Sequence, residues 1–555
     1  LTIRGKTVNR QSDITLNQQW IGDSNRLKYG EAAMKSALDD ITRPLFVVEH
    51  RGDPAFSHDG GMIWGGQLDN HPKGLPLLGF APPLHPKRLG ETSFKADLGL
   101  HYAYIVGAMA NGITSVEMVV AAGQAGAVGF FGAGGLSLEQ IETAIGRLKP
   151  YQERFPIGFN LIHSPNDMAL EMETAKLYLK HKVRLVSASA YLGLTLPLVY
   201  YRVKGLYKNA TGDIVCPNHI IAKVSREEVA RKFFAPPPPK LLDQLVNDQL
   251  VSADEAHLAQ QIPMAQDITA EADSGGHTDN RPALSLLPTF LALRDEAMSQ
   301  YGFSAALRVG LGGGIATPEA AAAGFSMGAA YVLTGSINQA AVEADTSESA
   351  REMLVQAQQA DVTMAPSADM FEMGVKVQVL KRGTMFAMRA AKLYELYRSY
   401  DGFEQIPANF RAMIEKDMLR TSFEDAWGQT RQYFELRDPS QIERAESNPK
   451  HKMALVFRSY LGQASMWAKT GLADRKIDYQ IWCGPSMGAF NAWVKGSFLE
   501  HKDKRRTDTM AMNIMYGASR WIRCQWLKSQ GIDMPAGVAA SKPLPLDEIQ
   551  RHLEQ

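Results

Sequence analysis

The chain has 555 residues, with 59 Lys and Arg against 59 Asp and Glu, and this zero formal charge argues against a general polyanion binder such as a nucleic-acid protein. Hydrophobic residues make up 45% and charged residues 21%, which excludes disordered and collagen-like classes. At about 150 residues per domain the length allows roughly four units, or fewer if one is an α/β barrel of about 250 residues.

Residues 1–95 carry many Gly and Pro breakers (RGDPAF, HDGGMIWGG, HPKGLPLLG) and read as a small β-rich or irregular N-terminal domain. Beyond them, short apolar runs alternate with helical patterns at residues 104–107, 127–131, 156–161, 184–188, 220–224, 268–271, 307–311 and 330–333. Buried parallel strands read as such runs, and each needs a helical crossover. The pattern therefore predicts an α/β fold, a (β/α)8 TIM barrel over residues 96–385, with a doubly wound open sheet as the rival. Capping spacings mark the helix starts: Thr114 with Glu117, Ser137 with Gln140, Ser225 with Glu228, and the Ser164–Pro165 and Thr317–Pro318 pairs.

Four prolines at 236–239 open a helical insert, residues 236–262, expected as a lid over the barrel mouth or as a rigid spacer. The tail, residues 386–555, has helical spacing and six of the eight tryptophans: Trp427, Trp467, Trp482, Trp493, Trp521 and Trp526. It is expected to be a mainly helical domain with its own aromatic packing. Cys216, Cys483 and Cys524 form neither a CxxC pair nor a disulfide framework, which suits a reducing cytoplasm and argues against structural zinc. No stretch approaches the roughly 18 apolar residues that span a bilayer, and the N-terminal LTIRGKTVNRQ has no apolar leader core, so no membrane association is expected.

In a TIM barrel the ligand sits at the C-terminal strand ends, and phosphate is commonly held after strands seven and eight. Here those loops are GLGGGIATPEA, with Gly312, Gly313 and Gly314 leading to a helix start at Thr317, and LTGS, with Thr334, Gly335 and Ser336. Glycines let backbone N–H groups approach an anion, and the two hydroxyls add donors, so together the loops predict a phosphate site. After strand six comes ITAEADSGGHTDNRP, where Gly275 and Gly276 allow close approach to a flat ring and His277 can donate or transfer a proton.

GAMANGITS, PIGFNL, DSGGH, GLGGGIA and LTGS together resemble the nitronate monooxygenase and flavin-dependent enoyl reductase superfamily of FMN-binding TIM barrels. The wider set PSADMFEMGVKVQVLKRGTMFAMRA, KLYELY and DYQIWCGPSMGAFNAW is similar to the PfaD family, the separately encoded enoyl reductases of polyunsaturated fatty acid and polyketide synthases, and this likeness extends into the tail. The resemblance implies bound FMN backed by Met109 and Ala110, hydrogen-bonded by Asn160, approached by Lys223 at the N1/C2=O edge, and lying against Gly275 and Gly276. It implies that Gly312, Gly313, Gly314, Thr334, Gly335 and Ser336 hold the phosphate and that His277 is catalytic. One departure is Asp273 and Ser274, where the superfamily usually has EAGGH.

The implied activity passes hydride from transiently bound NADPH or NADH through the flavin to the β-carbon of an enoyl thioester on an acyl carrier protein domain. A nitronate monooxygenase and a non-catalytic assembly component of a synthase are the alternatives, and a homodimer is left open. The tail's GPSMG matches a GxSxG nucleophile elbow, but only about 70 mostly helical residues remain to supply an acid and a histidine, so a structural turn is the better reading. The basic run HKDKRR is read as a solvated loop, with carrier docking as its rival. DSG lacks the leucine that follows a phosphopantetheine serine, so the chain is not expected to carry its own acyl group.

Overall fold

The computed structural model describes residues 18–64, 74–164 and 168–554. Its centre is a closed barrel of eight parallel strands: β1 (Tyr104–Val106), β2 (Val128–Phe131), β3 (Ile157–Ile162), β4 (Leu185–Ser189), β5 (His219–Val224), β6 (Asp267–Glu271), β7 (Arg308–Gly312) and β8 (Val332–Thr334). Each pairs with its neighbours in sequence, and β8 closes on β1 with Val332 opposite Tyr104. All eight predicted runs are strands, within one or two residues at the ends, and the closed order excludes the open sheet. The strands are buried on both faces, as continuous apolar runs require.

Registers fix what points inward. Ile105, Val128, Phe130, Leu185, Ile221, Tyr331 and Leu333 form one apolar cluster with Phe94 from the helix Thr92–Leu98, which plugs the barrel's N-terminal end. Phe94 stacks on Tyr331 at 4.3 Å between ring centroids. The same inward positions continue upward to Asn160, Ser187, Lys223 and Glu271 at the C-terminal mouth.

Two capping expectations hold: Ser137 forms a reciprocal box with Gln140, and Thr317 accepts from the Ala320 N–H with Pro318 next to it. Two are corrected. The helix Val116–Gln124 is capped by Ser115, while the Thr114 hydroxyl donates to Gly107 O and accepts from Met109 N. Ser225 does not cap Glu227–Phe234, because its hydroxyl is taken by Asp279 at 2.7 Å. The Ser164–Pro165 start, and parts of HDGGMIWGG and HPKGLPLLG, lie outside the described residues.

The insert forms two helices, Pro239–Asn247 and Ala253–Ala259, but it is not a lid over the mouth. Both pack on the helix Leu196–Val203, and Glu255 accepts from Gly205 N at 2.6 Å beyond that helix's C-terminal end. The reason is topological: a chain leaving the helix after β5 must return to the barrel's N-terminal end to start β6.

The N-terminal region folds as a six-stranded sheet ordered Lys28–Tyr29, Asp53–Ser57, Leu45–His50, Leu75–Ala81, Gln18–Ile21, Gly61–Trp64, with every described pairing antiparallel. The long helix Thr507–Ser529 joins it to the barrel. Gly517 lies so close to Pro318 that an added Cβ would come within 2.5 Å of its ring, while Arg520 pairs with Asp39 at 2.6 Å and Arg523 donates to Asp40 O and Arg43 O.

Tail aromatics divide between two cores. Trp427 and Trp467 pack in a second core built on residues 365–464, Trp482 packs on both that core and the barrel core, Trp493 and Trp521 pack on the barrel core, and Trp526 is half-exposed. The tail thus has aromatic packing of its own, as expected, and also lends aromatics to the barrel core. In HKDKRR, Lys502 pairs with Glu348 and Glu352, Arg505 is buried, and Arg506 pairs with Glu343. Lys502 and Arg505 are thus tied into the fold, while Lys504 and Arg506 remain exposed, as the solvated-loop reading expects. No described helix is long and apolar enough to cross a membrane.

Candidate active site

The mouth of the barrel gathers most of the singled-out residues. Met109 and Ala110 follow β1 in a loop zipped to the β2 loop: Asn111 N donates to Gly134 O and Gly112 N to Gly132 O. The approach is so tight that a Cβ on Gly132 would lie 1.7 Å from Met109 O, so only glycine fits there. Asn160, at the end of β3, is buried, and its amide donates to Ser187 O and Ser189 Oγ at 3.2 Å each.

Lys223 on β5 pairs with Glu271 on β6 at 2.8 Å, and the Ser274 hydroxyl donates to the same carboxylate. This single contact leaves the ammonium with two further N–H donors. Gly275 packs against the backbone of Cys483 and Gly484, where a Cβ would come within 2.9 Å. His277 follows on the two-residue strand Gly276–His277, which pairs with Lys376–Leu380 above the barrel. The loop is clamped beyond it by Arg226, which grips both oxygens of Asp279 at 2.9 and 3.0 Å. The hydrogen bond from Arg226 is the main reason that the Asp279 carboxyl falls to about 2.

The loops after β7 and β8 fit an anion through their backbone. Gly313 and Gly314 have φ of +84° and +75°, and the N–H groups of Gly314, Ile315, Gly335 and Ser336 meet no acceptor among the described residues. An added Cβ on Gly276, Gly314 or Gly335 would meet nothing within 4 Å. The mouth is therefore open beside these glycines, which leaves room for a flat ring and an anion. The Thr334 hydroxyl is a correction: it is buried, donates to Tyr104 OH at 2.9 Å and accepts from Asn338. Ser336 Oγ accepts from Gly484 N at 3.0 Å. The Thr334 donor is thus spent within the protein, whereas the Ser336 hydroxyl accepts there and keeps its O–H beside the loops' open backbone N–H groups. Gly312 packs on Thr269, which shapes the floor rather than offering a contact of its own.

The nitronate monooxygenase family model matches residues 92–397, the whole barrel and the sheet above it. The chain belongs to the nitronate monooxygenase family. A second model, the inserted helical domain of [acyl-carrier-protein] S-malonyltransferase, matches residues 400–479. The enoyl reductase domain of MlnA, from the macrolactin biosynthesis cluster of Bacillus amyloliquefaciens, is 39% identical with a TM-score of 0.76; the alignment covers 80% of this chain and 99% of that domain.

Among sequence relatives, one of the polyunsaturated fatty acid synthase subunits of Thraustochytrium sp. is 46% identical over 84% of this chain and 31% of its own length. The polyketide biosynthesis protein PksE of Bacillus subtilis is 47% identical over 77% of this chain and 55% of its own length. The chain therefore spans about a third to a half of these relatives. The matches fit a PfaD-like enoyl reductase within the nitronate monooxygenase family.

For this family member the structure gives places in the site to residues that lie inside the quoted motifs but had no role assigned there. Glu271 reads in sequence as a plain strand end, and only the β5–β6 register sets it beside Lys223. Gln378, Cys483 and Gly484 come from beyond the barrel and wall the site next to Gly275. Gln378 Oε1 is buried and has no partner among the described residues, as an acceptor kept for a ligand donor would be. The GPSMG turn is thus a wall of the mouth. Its Ser486 is buried at the start of the helix Ser486–Val494, and burial pushes the neighbouring Cys483 thiol up to about 12. Neither is an activated nucleophile.

Proposed function

We propose that this chain is an FMN-dependent enoyl reductase that acts in trans on carrier-bound enoyl thioesters during polyunsaturated fatty acid or polyketide synthesis. The observation that carries the reading is the match to nearly the full length of an enoyl reductase domain at 39% identity, together with a mouth whose open glycines and free backbone donors suit FMN. Bound FMN would relay hydride from NADPH or NADH to the β-carbon.

The chain's own residues do the rest. Lys223 offers positive charge and two unused donors at the ring's N1/C2=O edge, and Asn160, with both N–H donors on Ser187 and Ser189, offers its side-chain carbonyl oxygen to a ring N–H. Met109 and Ala110 would back one face and Gly276 would permit close approach from the other, the missing side chain of Gly275 being accounted for by the Cys483 and Gly484 backbone. Gly313, Gly314, Gly335 and Ser336 donate backbone N–H groups to the phosphate. His277 donates a hydrogen bond to the thioester oxygen or a proton to the α-carbon, which neutralises charge as it develops. Synthase carrier domains are the partners this reading needs, and the free cysteines suit a reducing cytoplasm.

A second reading, nitronate monooxygenase chemistry with dioxygen as the oxidant, is favoured by the family match itself. One experiment separates the two: stopped-flow reoxidation of the reduced holoprotein by crotonyl thioester or by dioxygen. Rapid reoxidation by the thioester supports the reductase; reoxidation by dioxygen alone overturns it.

A further inference from the structure

His277 is held from outside the barrel. Its strand pairs with Lys376–Leu380, with His277 opposite Val377, and the loop leading into that partner strand carries Asp369. Asp369 Oδ2 lies 3.0 Å from His277 Nε2. The loop is anchored on both sides of this contact. Arg458, on the helix Pro449–Thr470, donates from Nε to Ala368 O at 2.9 Å and pairs with Glu372 at 3.1 Å. Phe371 is fully buried between Tyr394, Tyr397 and Phe457, and Ser367 N bonds Val375 O at 2.9 Å across the loop's base.

The two side chains are 34% and 53% exposed, and an ion pair so placed adds little stability. So much anchoring around so weak a contact points to orientation. Against the opposing effect of partial burial, the hydrogen bond from His277 holds the Asp369 carboxyl below the usual carboxylate range, so it is ionised and can only accept.

We propose that Asp369 is a positioning residue for His277: it fixes a proton on Nε2 and leaves Nδ1 as the ring nitrogen that meets the substrate. This rests on the enoyl reductase reading. When hydride reaches the β-carbon, the C=C π pair moves toward the α-carbon and the thioester oxygen. The Nδ1–H bond of the imidazolium then breaks, a C–H bond forms at the α-carbon, and its electron pair stays on Nδ1. The ring is left neutral with its Nε2–H still on Asp369, and solvent returns the proton. The helical unit behind the loop therefore acts on the barrel's chemistry through Arg458 and Phe371.

The test compares wild type, Asp369→Asn and Asp369→Glu as flavin-loaded full-length protein, timing flavin reduction by NADPH and reoxidation by crotonyl thioester separately. Expected is a loss of about 10- to 100-fold confined to reoxidation in Asp369→Asn, with Asp369→Glu close to wild type. An independent readout is ¹⁵N NMR of histidine-labelled protein, the His277 signal being identified by its loss in His277→Ala. Wild type should hold the Nε2–H tautomer, and Asp369→Asn should lose that preference. Unchanged reoxidation with an unchanged tautomer overturns the proposal, as does an equal loss in both half-reactions with falling flavin content. If wild type itself is not reoxidised by the thioester, the enoyl reductase reading fails, while the tautomer comparison still decides the Asp369–His277 arrangement.

Discussion

Strand β6 carries an acidic side chain at each end, and the two meet their cations under opposite conditions. At its start, Asp267 takes Arg308 with two hydrogen bonds of 2.7 and 3.0 Å. Arg308 is 1% exposed, also bonds Asp97 at 2.7 Å and Ser93 at 3.3 Å, and lies over the Phe94 ring. Four of its five N–H donors are used. At the strand's other end Glu271 meets Lys223 in one contact, and the ammonium is 26% exposed at the mouth. The lower pair is closed and holds the barrel together; the upper pair keeps spare donors and room for a ligand. This is the division of labour expected between the two faces of such a barrel.

Breaking the lower pair should have the largest effect on folding. Asp267→Ala leaves Arg308 buried without its main partner and should cost about 3–5 kcal/mol in urea unfolding; wild-type stability would erase the contrast between the ends. At the mouth, His277→Ala should lower reductase turnover by about 10²- to 10⁴-fold with FMN content unchanged. Full turnover in flavin-replete protein would remove His277 from the chemistry. Lys223→Met should slow flavin reduction by about 100-fold while costing less in unfolding than Asp267→Ala, because the ammonium is partly exposed and Glu271 keeps the Ser274 hydroxyl. A large stability loss there would make the upper pair structural like the lower one. The smallest effect is expected from Ser486→Ala, which should leave turnover at wild-type level in a steady-state assay; loss of activity would revive the nucleophile reading.

The barrel was legible because its strands are buried on both sides, which forces short apolar runs in the sequence, and because Ser137 and Thr317 cap their helices with near neighbours. Capping failed as a guide at Ser225, whose hydroxyl is taken by Asp279, 54 residues away. The insert was legible as helices but misplaced, since its position follows from barrel connectivity rather than from its own prolines. Within the candidate site, the glycine loops announced themselves because a run of glycines with left-handed backbone is a local pattern in the sequence. Glu271, Asp369 and Gln378 left none: each matters through a partner on another strand or loop.

Apolar periodicity by itself marked eight strand runs of an α/β fold and the glycine-rich loops that follow them, and the neutral charge balance argued against a general polyanion binder. Tertiary structure decided which charges close the base and which remain open at the mouth, that the Thr334 hydroxyl is turned inward, that Asp369 and the strand Lys376–Leu380 meet His277, and that the tail walls the site with Cys483 and Gly484. The reason is physical. Strand periodicity and glycine loops are local properties of the chain, whereas the partner of a buried or mouth-facing charge is set by register and packing between segments far apart in sequence.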